Sequence, residues 1–176
     1  MGCISLILSN VEVVIFIGLQ GAGKSSFYRA RFASTHLHLS KDNWPNASRR
    51  EARLQRELRA ALGAGQSVVV DNTNVTQAAR APLIAIAHEF QARVAGYVFE
   101  SHLQDCLERN RAREGRARVP DIAVIVTAQR LEMPAADEGF DELHFVRLRG
   151  GDFEVGLYDS AKRETNAPPE YPKRGL

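Results

Sequence analysis

With 176 residues, 44% of them hydrophobic and 25% charged, the chain has the length and composition of one globular domain with a sizeable core. These values exclude a fibrous or wholly disordered chain, and no apolar run reaches the length of a membrane span. The formal charge of +2 is too mild to mark a nucleic-acid partner, although only Lys24, Lys41, Lys162 and Lys173 are lysines, so most of the positive charge is guanidinium, the better bidentate phosphate ligand.

The apolar start, MGCISLILSN, lacks a basic stretch before it, and Leu6 stands where a myristoylation pattern wants Ser or Thr, so neither a signal peptide nor a lipid anchor is expected. Val11–Ile17 then reads as a strand whose continuous apolar character suits cover on both faces. Lys24 to about Phe32 reads as a helix, and Leu37–Ser40 as a short strand with His36 and His38 expected on its exposed side. A helix from about Ser48 to Leu62 follows, with Leu54, Leu58 and Leu62 as its core stripe. Ser67–Asp71 is a buried strand. The next helix ends near His88, and Pro82 belongs in its first turn. Val94–Glu100 is a strand, and Ser101 with Gln104 has the spacing of a capping box that would open a helix running to about Arg113. Pro120 opens another helix, ending near Leu131. Leu143–Leu148 and Phe153–Leu157 flank an Arg-Gly-Gly-Asp turn as a terminal hairpin.

Strands alternating with helices predict an α/β fold with three αβα layers around a mainly parallel sheet, spanning residues 1–160 as a single domain. Residues 161–176 form a Pro-rich, polar and mobile tail. Cys3 and Cys106 lie far apart without a CxxC spacing, which supports neither a disulfide framework nor a zinc site, and a cytoplasmic location is expected.

Gly18–Ser25, GLQGAGKS, fits GxxxxGK[ST] in full between an apolar strand and a helix. Glycines let successive backbone N–H groups face phosphate oxygens, and the helix N-terminus adds its partial positive charge. The expected ligand is ATP with Mg²⁺, held by Gly18, Gly21, Ala22, Gly23, Lys24, Ser25 and Ser26, with Lys24 on the β- and γ-phosphates and the Ser25 hydroxyl on the metal. Asp42, in LSKDNWP, follows the second strand and so falls at the same edge of the sheet; it is either the base for an acceptor hydroxyl or a turn cap. Asp71, in VVVDNTN, ends a buried strand there, as a metal or acceptor ligand, and Asn72, Thr73 and Asn74 offer short polar groups beside it to a substrate.

Five arginines crowd CLERNRAREGRARVP, from Cys106 to Pro120. Arg109 and Arg113, four apart on the expected helix, would screen charge on a transferred phosphoryl group or else belong to a solvated basic face paired with Glu108 and Glu114, and Arg116 and Arg118 follow a flexible Gly115. Arg49, Arg53 and Arg56 share a face of the earlier helix along which a polyanion could lie, or which is an ordinary solvated surface. Trp44 could stack a base or pack on the sheet.

The ordered set GLQGAGKSS, LSKDNW, VVVDNTN, CLERNRAR and EGFD (Glu138–Asp141) resembles the 5′-kinase domain of polynucleotide kinases over about Val11–Leu148. The resemblance implies a P-loop kinase fold with Asp42 as general base, Lys24 and Ser25 on ATP and Mg²⁺, Arg109 and Arg113 as lid arginines, and a polynucleotide 5′-hydroxyl as acceptor. Phage-type members carry an arginine three residues after the base, where this chain has Pro45. The alternatives are a kinase for a nucleoside, sugar or antibiotic and a nucleotide-driven switch, against which Asp42 argues because hydrolysis needs only a positioned water.

Overall fold

A computed structural model describes residues 11–159. Cys3, the apolar start, and the tail with Lys162 and Lys173 lie outside the described residues. The elements are β1 Glu12–Ile17, α1 Lys24–Arg31, β2 Leu37–Leu39, α2 Arg50–Gly63, β3 Val68–Val70, α3 Gln77–Glu89, β4 Arg93–Phe99, α4 Leu103–Arg111, α5 Asp121–Gln129, β5 Glu142–Arg149 and β6 Asp152–Leu157. Short 3-10 turns cover Lys41–Asn43, Gly115–Ala117 and Ala136–Glu138.

The strands form one sheet in the order β2-β3-β1-β4-β5-β6. All pairings are parallel except the β5–β6 hairpin. Because side chains alternate across a strand, β1 feeds two cores. Val13, Ile15 and Ile17 pack with Leu54 and Leu58 of α2 and Leu83 and Ile86 of α3. Val14 and Phe16 face the other way, against Phe27 of α1, Cys106 and Leu107 of α4, and Val124 and Ala128 of α5. The result is the expected three-layer αβα arrangement. On the second face, aromatic rings pin α1 to the sheet: Phe27 meets Phe99 edge-on with centroids 5.4 Å apart and Phe153 at 5.1 Å. Such pairs contribute about 0.5–1.5 kcal/mol each beyond their buried area.

Three local expectations change. α3 starts five residues before Pro82, because Thr76 Oγ1 accepts from Ala79 N at 3.2 Å and Glu132 Oε2 accepts from Gln77 N at 2.7 Å. Two caps upstream outweigh the one intrahelical donor that Pro82 removes. Ser101 and Gln104 form no capping box: α4 has His102 at its N-cap without a side-chain cap, and the Ser101 hydroxyl is committed elsewhere. α4 also ends at Arg111, so Arg113 stands beyond the helix.

Gly96 on β4 lies where close packing leaves no room for a side chain. A Cβ there would come within 2.5 Å of Leu143 Cδ2 and 2.9 Å of Phe140 Cε1. Gly96→Ala is expected to lower stability by about 1–3 kcal/mol through this overpacking, read as a lower denaturant midpoint at unchanged slope.

Candidate active site

β1, β2, β3 and β4 run parallel, so their carboxyl ends open onto one edge, and the loops leaving them carry the polar groups that sequence singled out. The loop after β1 makes its turn through Gly21 (φ 84°) and Gly23 (φ 93°), left-handed conformations that glycine adopts without strain. Gly21 is doubly constrained, since a Cβ would fall on the Cys106 carbonyl oxygen at the start of α4. Two neighbouring loops hold this one in place. Gly18 N donates to Thr73 O at 3.0 Å, and Leu19 N donates to Ser101 Oγ at 3.2 Å, whose own hydroxyl donates to Phe99 O at 2.8 Å. Sequence reasoning missed this use of Ser101, which local spacing assigned to a cap. α1 begins at Lys24 with no side-chain cap, leaving its first N–H groups for an anion.

Lys24 is buried and its Nζ donates to Gly18 O at 3.0 Å and Leu19 O at 2.6 Å. Burial brings its pKa down to about 8, against the opposing pull of the Asp71 and Asp42 carboxylates. Asp71, also buried, accepts from Ser25 Oγ at 2.6 Å and pairs with His38 Nε2 at 3.0 Å. Burial alone would raise its pKa, but the bonds from His38 and Ser25 and the charge of Lys24 hold it below the usual carboxylate range. His38 was expected on an exposed face. Instead Leu37 is exposed, and Tyr28 of α1 covers the other side of β2, its ring tilted over His38 with centroids 4.3 Å apart. His36 is likewise turned inward, 3.3 Å from Glu12 Oε2.

The adjacent hydroxyl of Ser25 and carboxylate of Asp71 suit a hard cation. Among the described residues no three His, Cys, Asp or Glu side chains form a protein-only metal cage. Mg²⁺ needs none, because it commonly takes one or two protein oxygens and fills the rest with water and phosphate.

A cavity of about 670 Å³ joins Lys24, Ser25 and Asp71 to Asp42, Asn72 and Thr73. Asp42 sits in the Lys41–Asn43 turn, which Ser40 caps by accepting from Asp42 N at 3.3 Å. Its exposed carboxylate has no hydrogen bond or ion pair among the described residues. Asn72 Oδ1 accepts from Lys41 N at 3.0 Å and so ties the Asp42 turn to the Asp71 loop. Asn74 lines the same cavity, but its amide nitrogen donates to Phe16 O at 2.8 Å.

Arg50, Arg113, Arg116 and Arg130 also line this cavity, and none has a carboxylate partner among the described residues. Arginines elsewhere on α2 have carboxylate partners: Arg53 and Arg56 share Glu57, at 3.7 and 3.0 Å, and Arg59 pairs with Glu89. Arg53 also covers Trp44, 4.8 Å from its ring centroid, and Trp44 packs against the core. Arg109 and Arg113 have different settings. Arg109 folds back on Asp105 O at 3.0 Å and borders a second cavity of about 350 Å³ with Gly23, Ser26 and Phe153; Arg113 borders both cavities. Buried Asn110 straps the loop that carries Arg113, donating to Val119 O at 2.8 Å and accepting from Val119 N at 3.1 Å. Ala22 is buried within the loop, and the Ser26 hydroxyl accepts from Arg29 at 3.1 Å.

A family model described as an AAA domain matches residues 13–134, from β1 through α5 and every residue that lines the larger cavity. The chain belongs to that AAA domain family. A bifunctional polynucleotide phosphatase/kinase of Schizosaccharomyces pombe is 26% identical over 142 residues, covering 78% of this chain and 34% of the relative. An Acanthamoeba polyphaga mimivirus protein, named provisionally for the same pair of activities, is 27% identical over 158 residues, covering 86% of this chain and 36% of its own. The chain thus spans about a third of each relative's length. Among solved structures, a chain of the Pnkp1/Rnl/Hen1 RNA repair complex superposes with a TM-score of 0.59 at 20% identity, over 69% of this chain and 44% of that one. A gluconokinase from Sinorhizobium meliloti 1021 gives 0.57 at 18% identity, over 78% and 83%. These likenesses show that the AAA domain here has a P-loop kinase fold.

The depressed pKa of Lys24 sets a pH limit. Lys24 is cationic below about 8 and loses its charge above it, so kcat/KM for ATP is expected to fall as pH rises through about 8, well short of the ordinary lysine value of 10.5. Lys24→Ala should abolish turnover in a protein that still folds, as judged by circular dichroism; normal turnover would contradict the phosphate role of the loop.

Proposed function

We propose that this domain is a cytoplasmic ATP- and Mg²⁺-dependent kinase that transfers the γ-phosphoryl group to a hydroxyl, with a polynucleotide 5′-hydroxyl as favoured acceptor. One observation carries it: a single cavity is lined by Lys24, Ser25 and Asp71 together with Asp42, whose carboxylate has no partner among the described residues. A water-activating ATPase has no need of a second, free carboxylate in that cavity.

The N–H groups of the Gly18–Ser25 loop and Lys24 would bind the phosphates, and the second cavity, between Arg109 and Phe153, would take the nucleoside. Ser25 and Asp71 would hold Mg²⁺, which when bound draws negative charge from the β- and γ-phosphate oxygens. The acceptor O–H gives its proton to Asp42 as its oxygen bonds to the γ-phosphorus and the bond to the ADP oxygen breaks. Arg113, bordering both cavities, would offset charge on the phosphoryl group in transit. Asn72 and Thr73 would bound the acceptor beside Asp42.

Arg50, Arg116 and Arg130 then remain without an anion. Three guanidiniums suit an acceptor bearing its own phosphates, and Arg50 from α2 offers a cation near the base where Pro45 replaces the arginine of phage-type kinases. The names of the two curated relatives support the same acceptor. The gluconokinase likeness favours a second reading, a sugar-type acceptor, whose single carboxylate would leave most of this charge uncompensated.

Asp42→Asn is expected to slow transfer by roughly 10²-fold or more while leaving ATP affinity intact; a collapse of ATP affinity would make Asp42 a nucleotide or metal ligand. Arg113→Ala should lower kcat for a mononucleotide and a long oligonucleotide alike. An unchanged kcat with KM raised only for the long acceptor would make Arg113 part of a polyanion-binding surface.

A further inference from the structure

The Glu138–Asp141 stretch singled out in the sequence lies outside the site, yet its first residue joins a buried network that ends there. Arg80 of α3 is completely buried, and its Nε and Nη2 donate to the two carboxylate oxygens of Glu138, each at 2.7 Å. Its Nη1 donates to Asn74 O and Glu132 O, both at 3.0 Å. Glu138 Oε1 also accepts from Ala135 N at 3.0 Å, while Glu132 N donates to Val75 O at 2.7 Å. One guanidinium thus joins α3, the 71–76 loop and the chain that follows α5.

The loop is held at both sides of one residue. Asn74 has φ 43°, a left-handed conformation that asparagine adopts more readily than other side-chain-bearing residues. Its amide is held by Phe16 O, and its carbonyl is held by Arg80. The two residues before it, Asn72 and Thr73, line the cavity, and Thr73 O receives Gly18 N. Thr127 and Arg130 line the same cavity and lead into the segment that carries Glu132 and Glu138. The network therefore ties together two cavity-lining stretches of chain from a point outside the cavity.

We propose that Arg80, clamped by Glu138, is a positioning residue: it holds the Asn74 carbonyl and so sets how Asn72 and Thr73 face the acceptor. The acceptor part of this statement rests on the kinase reading above. A pair with a structural role alone is replaceable by apolar side chains of similar volume, because packing then substitutes for the ion pair. A positioning pair is not, because no apolar group can donate to Asn74 O.

The test compares the wild type with Arg80→Met/Glu138→Leu, and with Glu138→Gln should the double variant fail to fold. Thermal midpoint, ATP KM, acceptor kcat/KM and amide hydrogen exchange are measured on each. The expected result is a folded protein with a lowered midpoint, because Asn74 O, Glu132 O and Ala135 N lose their partners, and an ATP KM within about 3-fold of wild type, with acceptor kcat/KM down by about 10-fold or more. Exchange at residues 72–76 should rise by about 10-fold or more while β1 and β3 keep wild-type protection. Unchanged acceptor kinetics with unchanged loop exchange would overturn the proposal, as would equal losses for ATP and acceptor. A wild type that phosphorylates no hydroxyl would contradict the kinase function instead, and the exchange comparison alone would then decide the role of Arg80.

Discussion

Parallel pairing of β1 with β3 on one side and β4 on the other brings the phosphate loop between two strand ends that hold it. Thr73, after β3, receives the Gly18 amide, and Ser101, after β4, receives that of Leu19. The same register sets Ser25 at the first turn of α1 against Asp71 at the end of β3, 2.6 Å apart. A slip of either neighbour would turn side chains to the opposite face and separate this pair. The site is therefore a property of the sheet, and the two cores on β1 are what keep the sheet in register.

Charge is distributed to match. Several outer-surface arginines meet carboxylates: Arg59 with Glu89, Arg111 with Asp121, Arg149 with Glu100. Pairs of this exposed kind contribute only about 0–1 kcal/mol each, and their effect is chiefly to cancel field. Inside the cavity four guanidiniums lack such partners, so the modest net charge of the chain conceals a concentrated positive site. The composition suggested weak attraction for polyanions because it averages over that division.

Much of this was legible in the sequence. GLQGAGKS, and an acid closing each of two apolar strands, could be assigned to one edge because the α/β alternation forces parallel strands. What could not be seen depends on partners distant in the chain. His38 has the parity of a solvent-facing residue, and only the packing of Tyr28 over β2 makes it a partner of Asp71. Ser101 carries a helix-capping pattern, yet its hydroxyl is drawn to Leu19, 82 positions away. The arginine stripe on α2 looked uniform, whereas two members share the Glu57 carboxylate and Arg50 at the start of the helix reaches the cavity. Helix spacing put Arg109 and Arg113 together, and both do border the second cavity, but α4 stops at Arg111 and the strap made by Asn110 carries Arg113 on to the larger cavity as well.

The central claim is that a cavity with a free carboxylate and unpaired guanidiniums serves a phosphate-bearing hydroxyl acceptor. It is tested most directly by following the label from γ-labelled ATP in parallel reactions with a 5′-hydroxyl oligonucleotide, with gluconate, and with no acceptor. The account predicts that label appears on the oligonucleotide 5′ end, with little on gluconate and little released as inorganic phosphate. Label passing mainly to gluconate, or release of phosphate at the same rate whether or not an acceptor is present, would contradict it.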